Sequence, residues 1–215
     1  MSFETKKFAR LLACGAAGTL AVFSAIPAHA TVGYADTVLD FFDSGAGPLA
    51  GPYGGTFPGT FPVAVSTSVV LGADGPVADF LSLPTGSFVT VGFTDETVID
   101  GVGNDLFISE IGASGERADI FVSNDFVHFQ LLGQANSAAL TPFDLGSIGF
   151  TGFLRAVKIV GLDNFGASPG FDVSFIQVLP GAFTPVPEPA TWALMLAGFA
   201  MSGLLLRRSR NYAAA

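Results

Sequence analysis

The sequence predicts an all-β protein. One two-sheet sandwich of jelly-roll type stands between an N-terminal signal peptide and one C-terminal transmembrane helix. Three observations predict it. From Thr31 to Pro185 no segment sustains the apolar period of an amphipathic helix. Short runs rich in Val, Ile, Phe and Thr recur there instead, with Gly, Pro, Asn and Asp between them. Several runs alternate: Val89, Val91 and Phe93 are apolar at odd positions, as are Phe171, Val173 and Phe175. Alternation of this kind suits a strand with one buried face. About eight such strands, so punctuated, make a sandwich the expected architecture.

Residues 1–30 read as a secretory signal peptide. Lys6, Lys7 and Arg10 form a positive start, Leu11 to Ile26 is apolar, and Ala28-His29-Ala30 is an A-x-A site for signal peptidase. Cleavage after Ala30 leaves Thr31 as the new N-terminus. Leu11-Leu12-Ala13-Cys14 resembles a lipoprotein box, but almost no apolar residue precedes it. Cys14 is the only cysteine, so the mature chain can form no disulfide, thiolate metal site or cysteine nucleophile.

The sandwich is expected over 31–180. Its strands are read at Thr37–Phe42, Val63–Leu71, Ser87–Phe93, Leu106–Ser109, Asp119–Ser123, Phe126–Leu132, Leu154–Val160 and Phe171–Leu179. Residues 43–62, dense in Gly and Pro, read as a long surface loop with little regular structure, in which Tyr53 could be exposed. The many Phe are expected to fill the space between the sheets, each burial contributing roughly 1.5–3 kcal/mol. Charge separates the body from the ends. Residues 31–186 hold three basic residues (Arg117, Arg155, Lys158) against sixteen acidic ones, a net of −13, whereas the whole chain carries −9. Such a body lacks the cations that neutralise phosphates, which excludes nucleic acid as a partner.

Residues 181–189 read as a Pro-rich linker. The run from Ala190 to Leu206 has no charge. As a helix its 17 residues would be about 25 Å long, slightly short of a hydrocarbon core of about 30 Å. Arg207 and Arg208 can snorkel to close the gap and act as a stop-transfer signal, placing that end in the cytoplasm. Just before the run stands Val186-Pro187-Glu188-Pro189, then Trp192-Ala193. This tail, residues 190–210 with the tripeptide before it, resembles the PEP-CTERM sorting signal in its Trp-Ala variant. The resemblance implies recognition by an exosortase, a membrane-embedded cysteine transpeptidase of bacteria that make exopolysaccharide. It implies as well that the helix is removed. Pro187 and Pro189 agree, since they forbid a helix and favour an extended segment that a processing enzyme can grip. A permanent single-span anchor is the alternative. The body, at 71–75, 87–110, 118–125 and 170–178, resembles a domain of exported PEP-CTERM-tailed proteins, and this implies a galactose-binding-like sandwich without naming an activity.

Chemistry is less legible. Asp100-Gly101-Val102-Gly103-Asn104-Asp105, followed by Glu110, places oxygen ligands on a tight loop. Asp100, Asn104, Asp105 and Glu110 are therefore candidate Ca²⁺ ligands, with Asp74, Asp95, Glu96 and Asp172 as possible additions. An Asx-rich turn uses the same residues for its own backbone. After export one histidine remains, His128, expected to point outward from a strand. Without a G-x-S-x-G elbow or a chosen pair of carboxylates, no catalytic residue is assigned and the protein is expected not to be an enzyme. The expected role is a structural or adhesive component of the cell surface or extracellular matrix. It would pass through a membrane-anchored intermediate and associate with exopolysaccharide or biofilm. A carbohydrate-binding module, Ca²⁺-dependent or not, is the alternative, and a glycan hydrolase a weaker third.

Overall fold

The computed structural model describes residues 33–73, 77–112, 115–136, 140–185 and 195–201. Two antiparallel sheets enclose one core. The five-stranded sheet has the order β1 (Thr37–Phe42), β5 (Phe88–Gly92), β11 (Ala156–Gly161), β8 (Arg117–Ser123), β9 (Gln130–Asn136). The six-stranded sheet has the order β10 (Leu140–Phe143), β7 (Leu106–Glu110), β12 (Phe171–Val178), β4 (Ala78–Leu83), β2 (Tyr53–Phe57), β3 (Val63–Ala64). A small pair, β6 (Glu96–Val98) with β13 (Phe183–Pro185), closes one end. Inward residues of both sheets meet: Leu81, Leu83, Ile108, Phe171 and Val173 from one, Val89, Val91, Ile120, Val157 and Ile159 from the other. Each is buried, which is the alternation read from the sequence at work.

The structure corrects several elements. Of the strand expected over Val63–Leu71, only Val63–Ala64 is extended, and Thr67–Val70 forms a 3₁₀ turn. Ser66 accepts a hydrogen bond from the Ser68 N–H, the local competition that pulls hydroxyl-rich segments out of ladders. Val70 from that turn is fully buried, so the apolar signal was real but not a strand. The loop expected over 43–62 contains β2, and Tyr53, a candidate for exposure, is buried with its hydroxyl donating to the Pro169 carbonyl. Gly54 makes this possible: a Cβ there would stand 2.0 Å from the Phe80 carbonyl oxygen. The strand expected over Phe126–Leu132 starts only at Gln130, because Ser123 and Asp125 hold residues 126–128 in a turn. His128 thus sits in a turn, exposed, and not on a strand. β4, β6, β10 and β13 were not anticipated, and β13 occupies part of the segment read as a linker.

In β12 the register shifts between Val173 and Phe175. The bulge moves the buried set from Phe171 and Val173 to Ile176 and Val178, and turns Phe175 outward against Tyr34 with ring centroids 5.5 Å apart. Residues 195–201 are helical. Among the described residues no helix is long and apolar enough to cross a membrane, and the remainder of the expected span lies outside them.

Candidate functional site

Three polar constellations stand out among the described residues. The first is the predicted loop. Asp100, Asp105 and Asp144 each bring a carboxylate oxygen within 4.8 Å of the others. Asp105 is buried; one of its oxygens accepts from the Gly101 N–H and the other from the Leu145 N–H, both at 2.8 Å. Asp144 caps the 3₁₀ turn Leu145–Ile148 by accepting from the Gly146 N–H. The Asp144 bond is that of an Asx turn, whereas Asp105 ties the loop to itself and to the turn after β10. Sequence spacing found Asp100 and Asp105 but missed Asp144, which arrives from β10. Asn104 is exposed in the loop. Glu110 lies at the other end of β7, about 17 Å along the strand from Asp105 at ~3.3 Å per residue. Asp74 lies outside the described residues, as do the signal peptidase positions Ala28 and Ala30.

Glu110 belongs to the second constellation. It meets Glu116 and Asp172 beside a cavity of about 310 Å³. Phe57, Phe61 and Phe80 line it, with Phe61 edge-on to Phe80 at 5.5 Å and Phe57 at 6.4 Å from Phe61. Glu116, Asp172 and Ser168 line it as well. Ser82 Oγ donates to Asp172 at 2.5 Å and contacts Ser168 Oγ at 2.7 Å. Burial, reinforced by the charge of Glu116, pushes the Asp172 carboxyl up to about 8 against the pull of Ser82. Glu110 is 3% exposed, and among the described residues its oxygens meet no hydrogen-bond donor except the facing Glu116 carboxyl. Burial first, then that contact and the nearby charges of Glu116 and Asp172, push Glu110 up to about 9. A hydrogen bond between two carboxyls requires one of them to keep its proton. Glu116 and Asp172 are far apart in sequence, and only the seating of β12 between β7 and β4 joins them.

The third constellation is a groove of about 620 Å³ on the outer face of the five-stranded sheet. Cross-strand register places Asp40, Thr90 and Lys158 in one row. Lys158 Nζ stands 4.1 Å from the Phe88 ring centre and 4.7 Å from that of Phe129, and Phe42 stacks on Phe88. Phe126, at φ 67°, is held in a conformation that side chains of its size rarely adopt. Ser123 Oγ accepts from its N–H at 2.9 Å, and Asp125 accepts from the Val127 and His128 N–H groups. His128 Nδ1 lies 2.7 Å from Asp125, and this contact, with the two backbone bonds, holds the Asp125 carboxyl well below the usual range. Ser123, Asp125 and His128 thus meet, yet Ser123 Oγ bonds Asp125 and the backbone instead of His128, which is not the order of a nucleophilic triad.

A family profile described as the PEP-CTERM protein-sorting motif matches residues 185–210, and this motif implies export with processing by an exosortase. Pro187, Glu188, Pro189, Trp192, Ala193, Arg207 and Arg208 all fall within the matched segment and outside the described residues. No curated protein matches the chain. Among solved structures the chain is similar to a glycoside hydrolase family 43 arabinoxylan arabinofuranohydrolase from Bacillus subtilis in complex with cellotetraose. That likeness has 18% identity and a TM-score of 0.32, and covers 50% of this chain and 22% of the hydrolase. It is also similar to a family 35 carbohydrate binding module from an environmental isolate, at 15% identity and a TM-score of 0.29, over 70% of this chain and 100% of the module. At such scores neither likeness carries a functional argument.

Proposed function

We propose, from the premise that this chain carries a PEP-CTERM sorting motif, that it is an exported, non-enzymatic component of the cell surface or extracellular matrix. The motif at 185–210 is the observation that carries the reading. Signal peptidase cuts after Ala30. The apolar run Ala190–Leu206 then holds the intermediate in the membrane, with Arg207 and Arg208 on the cytoplasmic side. The exosortase acts near Pro187–Pro189, and the sandwich goes on to its final place with exopolysaccharide. Intact mass of the mature protein from its host tests this. A mass ending near Pro189 is expected, and replacing Glu188 with Ala should leave the longer form. A mature chain that keeps Arg207 and Arg208 would make the tail an ordinary anchor.

A second reading, carbohydrate binding, is favoured by the outer groove, where Phe126 and Phe129 flank Lys158 and Asp40. Rings beside hydrogen-bonding groups suit a sugar's apolar face and its hydroxyls. Phe129→Ala should abolish glycan retention without shifting the melting temperature by more than a few degrees. A glycan array on which the native protein retains nothing would end this reading. Turnover of any glycan by the purified protein would overturn the non-enzymatic assignment. Calcium at the 100–105 loop is tested by calorimetry, and an absence of heat on adding Ca²⁺ would remove it.

A further inference from the structure

We propose that the groove on the outer face of the five-stranded sheet takes an acidic glycan, one whose sugar rings carry a carboxylate or a sulfate, with Lys158 meeting the anionic group. This rests on the carbohydrate-binding reading of the same groove and names the class of sugar it would choose.

Three observations converge on residues that line the groove. First, Lys158 brings a charge that no carboxylate takes up. Among the described residues two ion pairs form, Arg117 with Asp163 and His128 with Asp125, and neither uses Lys158. Its Nζ stands over two rings instead, 4.1 Å from the Phe88 centre and 4.7 Å from that of Phe129. Ring faces attract a cation without neutralising it, and the ammonium keeps hydrogen bonds to give. Arg155, which does not itself line the groove, stands 5.8 Å from the ring of Phe126, which does. Second, Thr90 lines the groove, is 3% exposed, and its Oγ1 has no hydrogen-bond partner. A buried hydroxyl left unpaired is costly, and a ligand oxygen would pair it. Val89 and Val91 face the core, so Thr90 faces the groove side. Its cross-strand neighbours there are Lys158, a flexible stem, and Asp40, which is exposed, and both can turn toward a ligand. Third, the apolar rim is held in place at a cost. Leu39, Phe126 and Val127 are exposed at the groove, and Phe126 keeps its left-handed φ of 67° because Ser123 and Asp125 fix the turn. Strain of this kind persists only where the surroundings enforce it, and it collects at binding sites.

These groups divide the work among the parts of a sugar acid. Lys158 meets the anion and Thr90 gives a second hydrogen bond beside it. Phe126 and Phe129 take the apolar face of the ring. Asp40 lies two strands from Lys158, about 10 Å at ~4.8 Å per strand, and accepts from hydroxyls on the far side of the ring. Asp40 also selects against a plain anion, which gains from Lys158 but has no hydroxyl to offer the carboxylate. A volume of about 620 Å³ falls within the range of ligand pockets. The body's net charge of −13 opposes a polyanion at a distance. At physiological salt that field is screened beyond about 8 Å, so the charges at the groove decide.

The test is calorimetry on the full chain in detergent, with trigalacturonic acid, its neutral methyl ester, a sulfated galactose trisaccharide and glutarate. At least one acidic trisaccharide should bind about tenfold or more tighter than the neutral ester, the equivalent of ~1.4 kcal/mol. Binding of the uronate alone would identify a carboxylated glycan, and of the sulfated sugar alone a sulfate ester. Lys158→Met keeps an unbranched apolar stem over the rings and removes the charge, so it should erase the preference for the acidic sugar. Thr90→Val keeps the shape and removes a hydroxyl that has no partner, so it should weaken the acidic sugar several-fold without lowering the melting temperature. If the neutral ester binds as tightly as the acidic sugars, carbohydrate binding stands and the acidic class falls. If no sugar binds, the carbohydrate reading falls and this inference with it. Glutarate binding as tightly as the sugars, or a preference unchanged in Lys158→Met, would also overturn it.

Discussion

Replacing Asp172 with Asn should flatten the pH dependence of stability. Asp172 titrates near 3.9 in an unfolded chain and near 8 here, because burial and the Glu116 charge penalise its ionised form. Below pH 4 both states are protonated and the full stability is present. Above it the unfolded chain loses its proton while the folded one keeps it, so stability falls by about 1.4 kcal/mol per pH unit until the folded carboxyl ionises near pH 8. Between pH 5.5 and 7.5 this amounts to about 2–3 kcal/mol from Asp172 alone. Asn can still accept the Ser82 hydroxyl bond and cannot ionise. Glu110, pushed up to about 9, keeps its proton across this window in both chains, so its own slope is common to both. Urea unfolding followed by far-UV circular dichroism at the two pH values measures this. The native chain should lose stability on going to pH 7.5 and the variant should lose at least 2 kcal/mol less, to order of magnitude. Equal slopes would show that Asp172 holds no proton at neutral pH.

Other substitutions test the packing. Tyr53→Phe removes the bond to the Pro169 carbonyl and should cost about 1–2 kcal/mol in urea unfolding. Gly161→Ala would place a methyl 1.9 Å from the Leu83 carbonyl oxygen, so the strand must move, at a cost of about 3 kcal/mol or more. Gly103→Ala meets nothing within 4 Å but sits at φ +86°, and should cost only about 1 kcal/mol. A smaller loss for Gly161→Ala than for Gly103→Ala in thermal melts would contradict the close approach of those backbones.

The sandwich was legible where a polar residue interrupts a run of β-branched and aromatic neighbours. In β5, β8 and β11 a polar residue, Thr90, Asp119 or Lys158, stands between apolar neighbours, and the runs stood out. β4 was missed because Phe80, Leu81, Ser82 and Leu83 are all buried, which erases the alternation. β2 was missed because Gly54 and Gly55, chosen for close backbone approach, look like loop residues when read alone. The acidic cavity was illegible for another reason. Its carboxyls come from the end of β7, the start of β8 and the start of β12, and no local spacing encodes that meeting. The 100–105 loop was half legible: its own aspartates were plain, while Asp144 needed the pairing of β10 with β7. The tail was the reverse case, since its message is written in consecutive residues and asks nothing of the fold.

Where β13 lies has a consequence for how the body is carried. Phe183–Pro185 is laced to Glu96–Val98, and the matched sorting segment begins at residue 185. Gly33, two residues beyond the expected new N-terminus, donates to Glu96, and a Cβ on it would touch the Phe183 ring at 3.3 Å. Gly33 and the last strand of the body therefore lie at one pole of the sandwich. From Pro185 to the start of the apolar run at Ala190 the chain can reach at most about 18 Å. That is a short leash. On the proposed route the anchored intermediate could not swing far from the bilayer, and an exosortase would work with a folded domain as its close neighbour.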